Sequence, residues 1–264
     1  MRRTAAGLLG WGLTLLLAES IPGVTRPHRE ANLSVAVPGL VHRLRVREGQ
    51  GVEAGEILLE LQQEQELLEV KRRELLLENP AELLAAEARL ATARSEEEAT
   101  RILFEQTRSV SREELERKAL QCALAEAELA QAKMNKAREG IELDMARESV
   151  ARRVLRAPHA GTITEILIEE GEGCEPLQPL MRLVDARRLI FTANVEAEQL
   201  LRFSPGQSAR IRVGGAHLME GTVRYVSPVV DRASGLGILR VELDNEANRV
   251  VAGVAAELLP PVRP

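Results

Sequence analysis

Aromatic residues make up 2% of this 264-residue chain: three Phe, one Tyr and one Trp. Any β-structure must therefore be filled mainly by Leu, Val, Ile and Ala, without the large payload that rings bring to a core. Cysteines number two, Cys122 and Cys174, too few for a disulfide framework. The four histidines, His28, His42, His159 and His217, are scattered and show no i, i+4 ligand spacing, so no metal site is expected. A formal net charge of −5 offers no footprint for nucleic acid. The apolar run at residues 5–18 is 14 residues long, short of the roughly 20 that a membrane span needs.

That run has the parts of a secretory signal. Arg2 and Arg3 precede it, and Ala18, Glu19 and Ser20 supply small residues around a cleavage site. Residues 1–20 are therefore read as a signal peptide, with an uncleaved anchor as the alternative. No cysteine lies near Ser20, so a lipid-anchored amino terminus finds no support.

What the chain does have is a split repeat. Residues 38–61 read PGLVHRLRVREGQGVEAGEILLEL and residues 160–183 read AGTITEILIEEGEGCEPLQPLMRL. Without a gap, Gly39, Glu48, Gly49, Gly51, Glu53, Leu58 and Leu61 recur as Gly161, Glu170, Gly171, Gly173, Glu175, Leu180 and Leu183. Leu44 and Val46 alternate with Arg43, Arg45 and Arg47, and Ile166 and Ile168 alternate with Glu165, Leu167 and Glu169, the period of half-buried strands. Each run meets a Gly-x-Gly segment suited to reversing the chain. Neither half has enough strands to bury an apolar face alone, so the two are expected to pack as one module.

Between the halves, residues 62–153 are rich in Glu, Ala, Leu, Arg and Gln, the strong helix formers. Leu115, Cys122, Leu129, Leu143 and Val150 share one seven-residue phase, and Ala125, Ala132 and Ala146 fall three places after members of it, giving a coiled-coil seam interrupted at Lys136 and Glu139. A less regular seam runs through Leu83, Leu90 and Ala93. The turn is placed at Arg108, Ser109 and Val110, because Ser111 followed by Glu114 is a capping box. Folding about it brings Pro80 level with Gly140, where a kink or local unwinding is expected. The many Glu and Arg of this stretch read as solvated faces. Cys122 on the seam and Cys174 in place of Val52 read as small apolar residues.

After Asp185 the pattern changes to short strands at residues 189–195, 209–213, 221–226, 238–243 and 250–258, with a short helix at 196–203. These suggest a small β-barrel. The fold class is thus α+β and elongated: a split lipoyl-like β-sandwich, an inserted antiparallel α-helical coiled-coil hairpin, then the barrel. The divisions are a linker at 21–33, half-modules at 34–61 and 154–185, the hairpin at 62–153, the barrel at 186–259 and a tail at 260–264.

With Arg156-Ala157-Pro158 leading into Gly161, then Pro205-Gly206-Gln207 and Gly221-Thr222-Val223 in the barrel, this order of parts resembles the periplasmic adaptor subunits, or membrane fusion proteins of the HlyD type, of bacterial tripartite efflux systems. The resemblance covers about residues 34–258. It implies a ring, usually a hexamer, linking an inner-membrane transporter of RND or ABC type to an outer-membrane channel of TolC type, in the periplasm and associated with the inner membrane. Such adaptors usually add a membrane-proximal domain, expected here to be reduced or absent. Many members carry at the hairpin tip an Arg, a Leu four residues on and a Ser seven after that. Phe104 and Ser111 occupy the last two positions, while the first is Thr100, with Arg101 beside it.

Lipoyl and biotinyl carriers hold a modifiable lysine at the turn between their halves. Here the seam is Glu60-Leu61-Gln62 and the nearest lysine is Lys71, inside a helix, so no cofactor and no enzymatic role is expected. The expected contacts are of two kinds. Arg101, Phe104, Arg108, Ser109, Val110 and Ser111 form the partner-facing tip, and Arg43 and Arg47 of one protomer meet Glu165 and Glu169 of the next. A structural or secretion-linked coiled-coil protein without a channel partner is the alternative.

Overall fold

The computed structural model describes residues 20–247 and 249–259. The expected leader, Ser20 apart, and the tail at 260–264 lie outside these. Residues 21–33, expected to be a linker, are instead a 13-residue strand, β1 (Ile21–Leu33). Pro22, Gly23 and Pro27 disguise it in the sequence, since proline and glycine ordinarily mark a strand's edge or end. β1 runs antiparallel along β8 (Met181–Glu196), which is likewise one long strand.

The outer halves of β1 and β8 close a six-stranded barrel with β9 (Ser208–Val213), β10 (His217–Val226), β11 (Leu236–Asp244) and β12 (Ala255–Leu258), in the order β1-β12-β9-β10-β11-β8. Phe191, fully buried, is the one ring among the buried residues of a mostly aliphatic core, with Phe203 partly buried against it. The helix expected at 196–203 is a single turn, α4 (Ala197–Leu200). β12 is shorter than the expected strand at 250–258, because Thr25 ties down the loop before it. Its hydroxyl donates to the Val254 carbonyl at 3.0 Å, and its own carbonyl accepts from Gly253 N–H at 2.9 Å.

Where barrel gives way to sandwich, the β1–β8 ladder is irregular. Pro27 faces Leu189 and Arg29 faces Asp185, so one residue of β1 spans three of β8. Asn245, buried, fills the gap. Its amide donates to the carbonyls of Ala186 and Val250, both at 2.9 Å, its Oδ1 accepts from Val250 N–H at 3.1 Å, and its own N–H reaches the Arg187 carbonyl at 2.8 Å.

The two repeat halves pack as one sandwich on a single apolar cluster that includes Val41, Val46, Leu58, Leu61, Ile163, Ile168, Leu180 and Leu183. One sheet is β5-β4-β2-β7, from β5 (Val154–Arg156), β4 (Ile57–Leu61), β2 (Gly39–Leu44) and β7 (Gly173–Cys174). The other is made by the inner halves of β1 and β8 with β6 (Gly161–Ile166) and β3 (Gly51–Val52). Each half therefore lends a two-residue strand to the other's sheet. β1 stands to β8 as β5 stands to β4, so the repeat reaches further back than its glycines reveal. Leu33 and Val35 match Leu155 and Ala157, and all four are buried.

Burial is the same, residue for residue, from Gly39 to Glu48 as from Gly161 to Glu170. Val41 and Ile163 join the buried set through a bulge just after each, which shifts the alternation that Leu44 and Ile166 resume. Of each Gly-x-Gly, only the first glycine is left-handed, Gly49 at φ 81° and Gly171 at φ 86°. At the next turn the symmetry fails chemically. Gly55 sits at φ 84°, and its counterpart Leu177 is forced to φ 64° with 79% of its surface exposed.

The hairpin arms are α1 (Glu64–Glu78) and α2 (Ala81–Ile102), returning as α3 (Arg112–Ala151). The seam of α3 is buried at Cys122, Ala125, Ala132, Leu143 and Ala146, and α2 meets it with Ala86 and Leu90. The ascending arm breaks at Asn79 and Pro80, whereas α3 continues unbroken through Gly140. Glycine merely weakens a helix that flanking turns carry, but proline removes a donor. Lys136, an interruption in the seam, serves that break: its ammonium donates at 2.9 Å to the Leu76 carbonyl, which Pro80 cannot serve and which otherwise accepts only from Asn79 N–H at 3.3 Å, and it pairs with Glu139 at 2.7 Å. The charged faces are not simply solvated. Glu66–Arg153 at 2.6 Å, Glu74–Arg147 at 2.9 Å, Arg94–Glu126 at 2.8 Å and Glu96–Lys118 at 2.6 Å join the arms along their length.

Leu177 carries a prediction. An L side chain at left-handed φ costs about 1–2 kcal/mol, and glycine recovers most of it against a larger loss of chain entropy. Leu177→Gly should raise stability by about 1 kcal/mol, read as a later denaturant midpoint with an unchanged slope. An earlier midpoint would show that the leucine's packing outweighs its backbone strain.

Candidate functional site

The hairpin tip is built by the way α2 ends. Residues Leu103–Thr107 widen into a π turn, and the Thr107 hydroxyl donates to the Leu103 carbonyl at 2.8 Å while contacting Ser109 Oγ at 2.7 Å. Arg108 then takes φ 49° and reverses the chain. Its guanidinium lies over the Phe104 ring, 5.4 Å from the centroid, so Phe104 is half-buried beneath the turn with Val110 also half-buried. Ser111 Oγ accepts from Glu114 N–H at 3.1 Å. Only half of the expected capping box forms, because the Glu114 carboxylate turns to Arg117 at 2.6 Å. Arg101 stands below the turn, paired with Glu98.

Two features of the hairpin escaped the sequence reading. Ile102 and Leu103 are exposed beside the tip. On α3, Leu120, Met134 and Ile141 share one seven-residue phase and Leu124 and Met145 another, all five exposed. This second heptad lies on the face of α3 turned away from the buried seam. Its signal was present in the sequence, but a reading that seeks one seam per helix stops at the first.

The second candidate surface is at the sandwich flanks. Arg43, Arg47, Glu165 and Glu169 are all exposed, and none forms a side-chain ion pair among the described residues. Because β2 and β6 are related by the internal repeat, the arginines and the glutamates occupy matched places on opposite halves. Between them, the neighbouring repeat carboxylates are used internally: Glu48 Oε1 accepts from Ile166 N–H at 2.9 Å and Glu170 Oε1 from Leu44 N–H at 2.8 Å. Elsewhere, charges serve structure. Glu69, held by Arg72 and Arg73, has its carboxyl lowered to about 2. The Arg187 guanidinium lowers Asp185, and the Glu97 carboxylate pushes the Cys122 thiol up. Among the described residues no group of three His, Cys, Asp or Glu side chains is placed to hold a metal ion, and no helix is long and apolar enough to cross a membrane.

No family model matches the chain. It is 28% identical over 216 residues to the macrolide export protein MacA of Escherichia coli O157:H7, and equally to that of Shigella flexneri, a match covering 78% of this chain and 57% of each relative. The chain thus spans little more than half the length of the curated relatives it matches. Among solved structures, MacA from Actinobacillus actinomycetemcomitans superimposes with a TM-score of 0.76 at 17% identity, over 91% of this chain and 78% of that one. The membrane fusion protein Spr0693 from Streptococcus pneumoniae R6 gives 0.61 at 14% identity, over 93% and 100%.

Replacing a helix-capping hydroxyl costs about 1 kcal/mol. Ser111→Ala should lower the hairpin's thermal stability by about that amount and Ser111→Asp should restore it, as followed by helical ellipticity. Equal melting of all three would separate Ser111 from any capping role.

Proposed function

We propose that this homologue of the MacA proteins, whose fold is that of the membrane fusion proteins, is a non-enzymatic periplasmic adaptor. It links an inner-membrane transporter, of RND or ABC type, to an outer-membrane channel of TolC type, and it acts by assembling into a ring, a hexamer by resemblance. The observation that carries this reading is the double heptad of α3. One apolar face is covered by the partner arm, and the other, with Leu120, Leu124, Met134, Ile141 and Met145, faces water in a single chain. Hairpins standing side by side would cover it and form a tube.

The sandwich supports the same geometry. A surface with arginines on one flank and carboxylates at the matched places on the other is complementary to itself head to tail, the kind of contact that closes a ring. Each exposed pair contributes about 0–1 kcal/mol, so the effect is cumulative and weakened by salt. Arg43→Glu combined with Arg47→Glu should reduce oligomerisation at low ionic strength. An unchanged sedimentation profile counts against this interface.

The tip supplies the partner-facing end. Phe104→Asp should abolish export while leaving helix content and sedimentation intact. Normal export by the variant, or its unfolding, removes the support for tip docking. Cross-linking in the envelope, followed by purification, should bring down both a transporter and a channel. Recovery of neither would favour a structural coiled-coil protein without a channel partner.

A further inference from the structure

Both arms of the hairpin are weak at one height, above the 15 residues of α1 and below the 22 of α2. On the ascending side Pro80 cannot donate, and Asn79 leaves the helix at ψ 109°. On the descending side stands Gly140. Its backbone is right-handed helix, and a Cβ there would meet no atom of the other arm within 4 Å, so neither conformation nor space calls for glycine. Alanine would hold the helix better, and what the glycine contributes is compliance. The apolar seam is missing over the same stretch: α1 buries no residue, α3 none between Ala132 and Leu143, and α2 none before Ala86.

Polar contacts take the seam's place, and they divide the hairpin into two sections. Below the break, Arg73 and Glu74 of α1 pair with Glu142 and Arg147, on the base side of Gly140. Above it, Glu82 Oε1 accepts from Asn135 Nδ2 at 2.8 Å and Arg89 pairs with Glu128, both on the tip side. Each section is thus tied across the arms within itself. Lys136 differs. It stands on the tip side of Gly140 and donates to the Leu76 carbonyl on the base side of the break, at 2.9 Å. Of the cross-arm hydrogen bonds and ion pairs among the described residues, this is the one that joins the upper section to the lower. The base of the hairpin is closed by Arg153 on Gln62 and Glu66, so motion does not start there. We infer that Asn79, Pro80 and Gly140 form a hinge within the hairpin, and that Lys136 is the staple that fixes its angle. The hinge requires neither a ring nor a channel.

The test uses the full chain with Cys122→Ala and Cys174→Val, and with nitroxide labels at two exposed sites, Glu175→Cys in the sandwich and Glu113→Cys beside the tip. Labelled protein is diluted in unlabelled protein and the distance read by pulsed electron double resonance. The arm above the hinge is about 40 Å long at about 1.5 Å per residue, so a bend of about 10° carries the tip about 7 Å. Lys136→Ala should widen the distance distribution by about that much. Lys118→Ala, which removes the pair with Glu96 inside the upper section, should leave it unchanged. Gly140→Ala added to Lys136→Ala should narrow it again. An unchanged width for Lys136→Ala, an equal widening by Lys118→Ala, or no narrowing by Gly140→Ala overturns the hinge. Should Lys136→Ala lose helical ellipticity, Lys136→Met, which keeps the aliphatic stem and removes the donors, is read in its place. Loss of helix by both variants shows local unfolding and overturns the hinge as well.

Discussion

The exchange of short strands between the repeat halves is the constraint on which the rest depends. β3 comes from the first half and pairs with β6 of the second, and β7 from the second pairs with β2 of the first. The exchange is locked by reciprocal bonds: Gly49 N–H to the Ile163 carbonyl at 2.7 Å mirrors Gly171 N–H to the Val41 carbonyl at 2.8 Å. Glu48 and Glu170 add their carboxylates to the opposite half in the same mirrored way. Since neither half holds its sheet without the other, the chain between them is obliged to leave and return at one place. That is the condition for a hairpin: the Arg153 guanidinium donates to the Gln62 carbonyl at 2.9 Å and pairs with Glu66, closing the arms where they emerge.

Above that base the hairpin has little to hold it. Its buried seam is mostly alanine, with one cysteine and two leucines, so burial gives far less per turn than a leucine seam would. Exposed cross-arm ion pairs contribute little each. α3 packs continuously against two shorter helices, and Lys136 donates to the Leu76 carbonyl beside their break, so one arm is interrupted while the other runs on. At about 1.5 Å per residue, the 40 residues of α3 make an arm of about 60 Å.

How much of this was legible follows from where the periodicities are clean. The seven-residue phase of α3 and the glycines of the repeat set the architecture, and the buried residues fall where those patterns put them. β1 was illegible because two prolines and a glycine lie in it, and because its partner β8 is far away in sequence; only tertiary pairing makes it a strand. The bulges after Val41 and Ile163 hid the buried residue before each alternating run. At the tip, the sequence located the turn and the cap, but the π turn and the stacking of Arg108 on Phe104 arise from how α2 ends, which no local pattern specifies.

The correction to β1 changes how the parts are connected. A linker would let barrel and sandwich swing independently, whereas two paired strands crossing from one to the other make the joint a ladder of backbone hydrogen bonds. The joint is irregular only at the bulge, and there Asn245 uses its backbone and side chain to tie β8 to the loop before β12. A buried amide with all its groups engaged resists displacement, because moving it strands several polar groups at once. In the proposed role, orientation set at the barrel end is therefore carried through β1 and β8 to the base of the hairpin. What flexibility the molecule needs to seat its tip must then come from the break at Asn79 and Pro80 and from the thin seam above it.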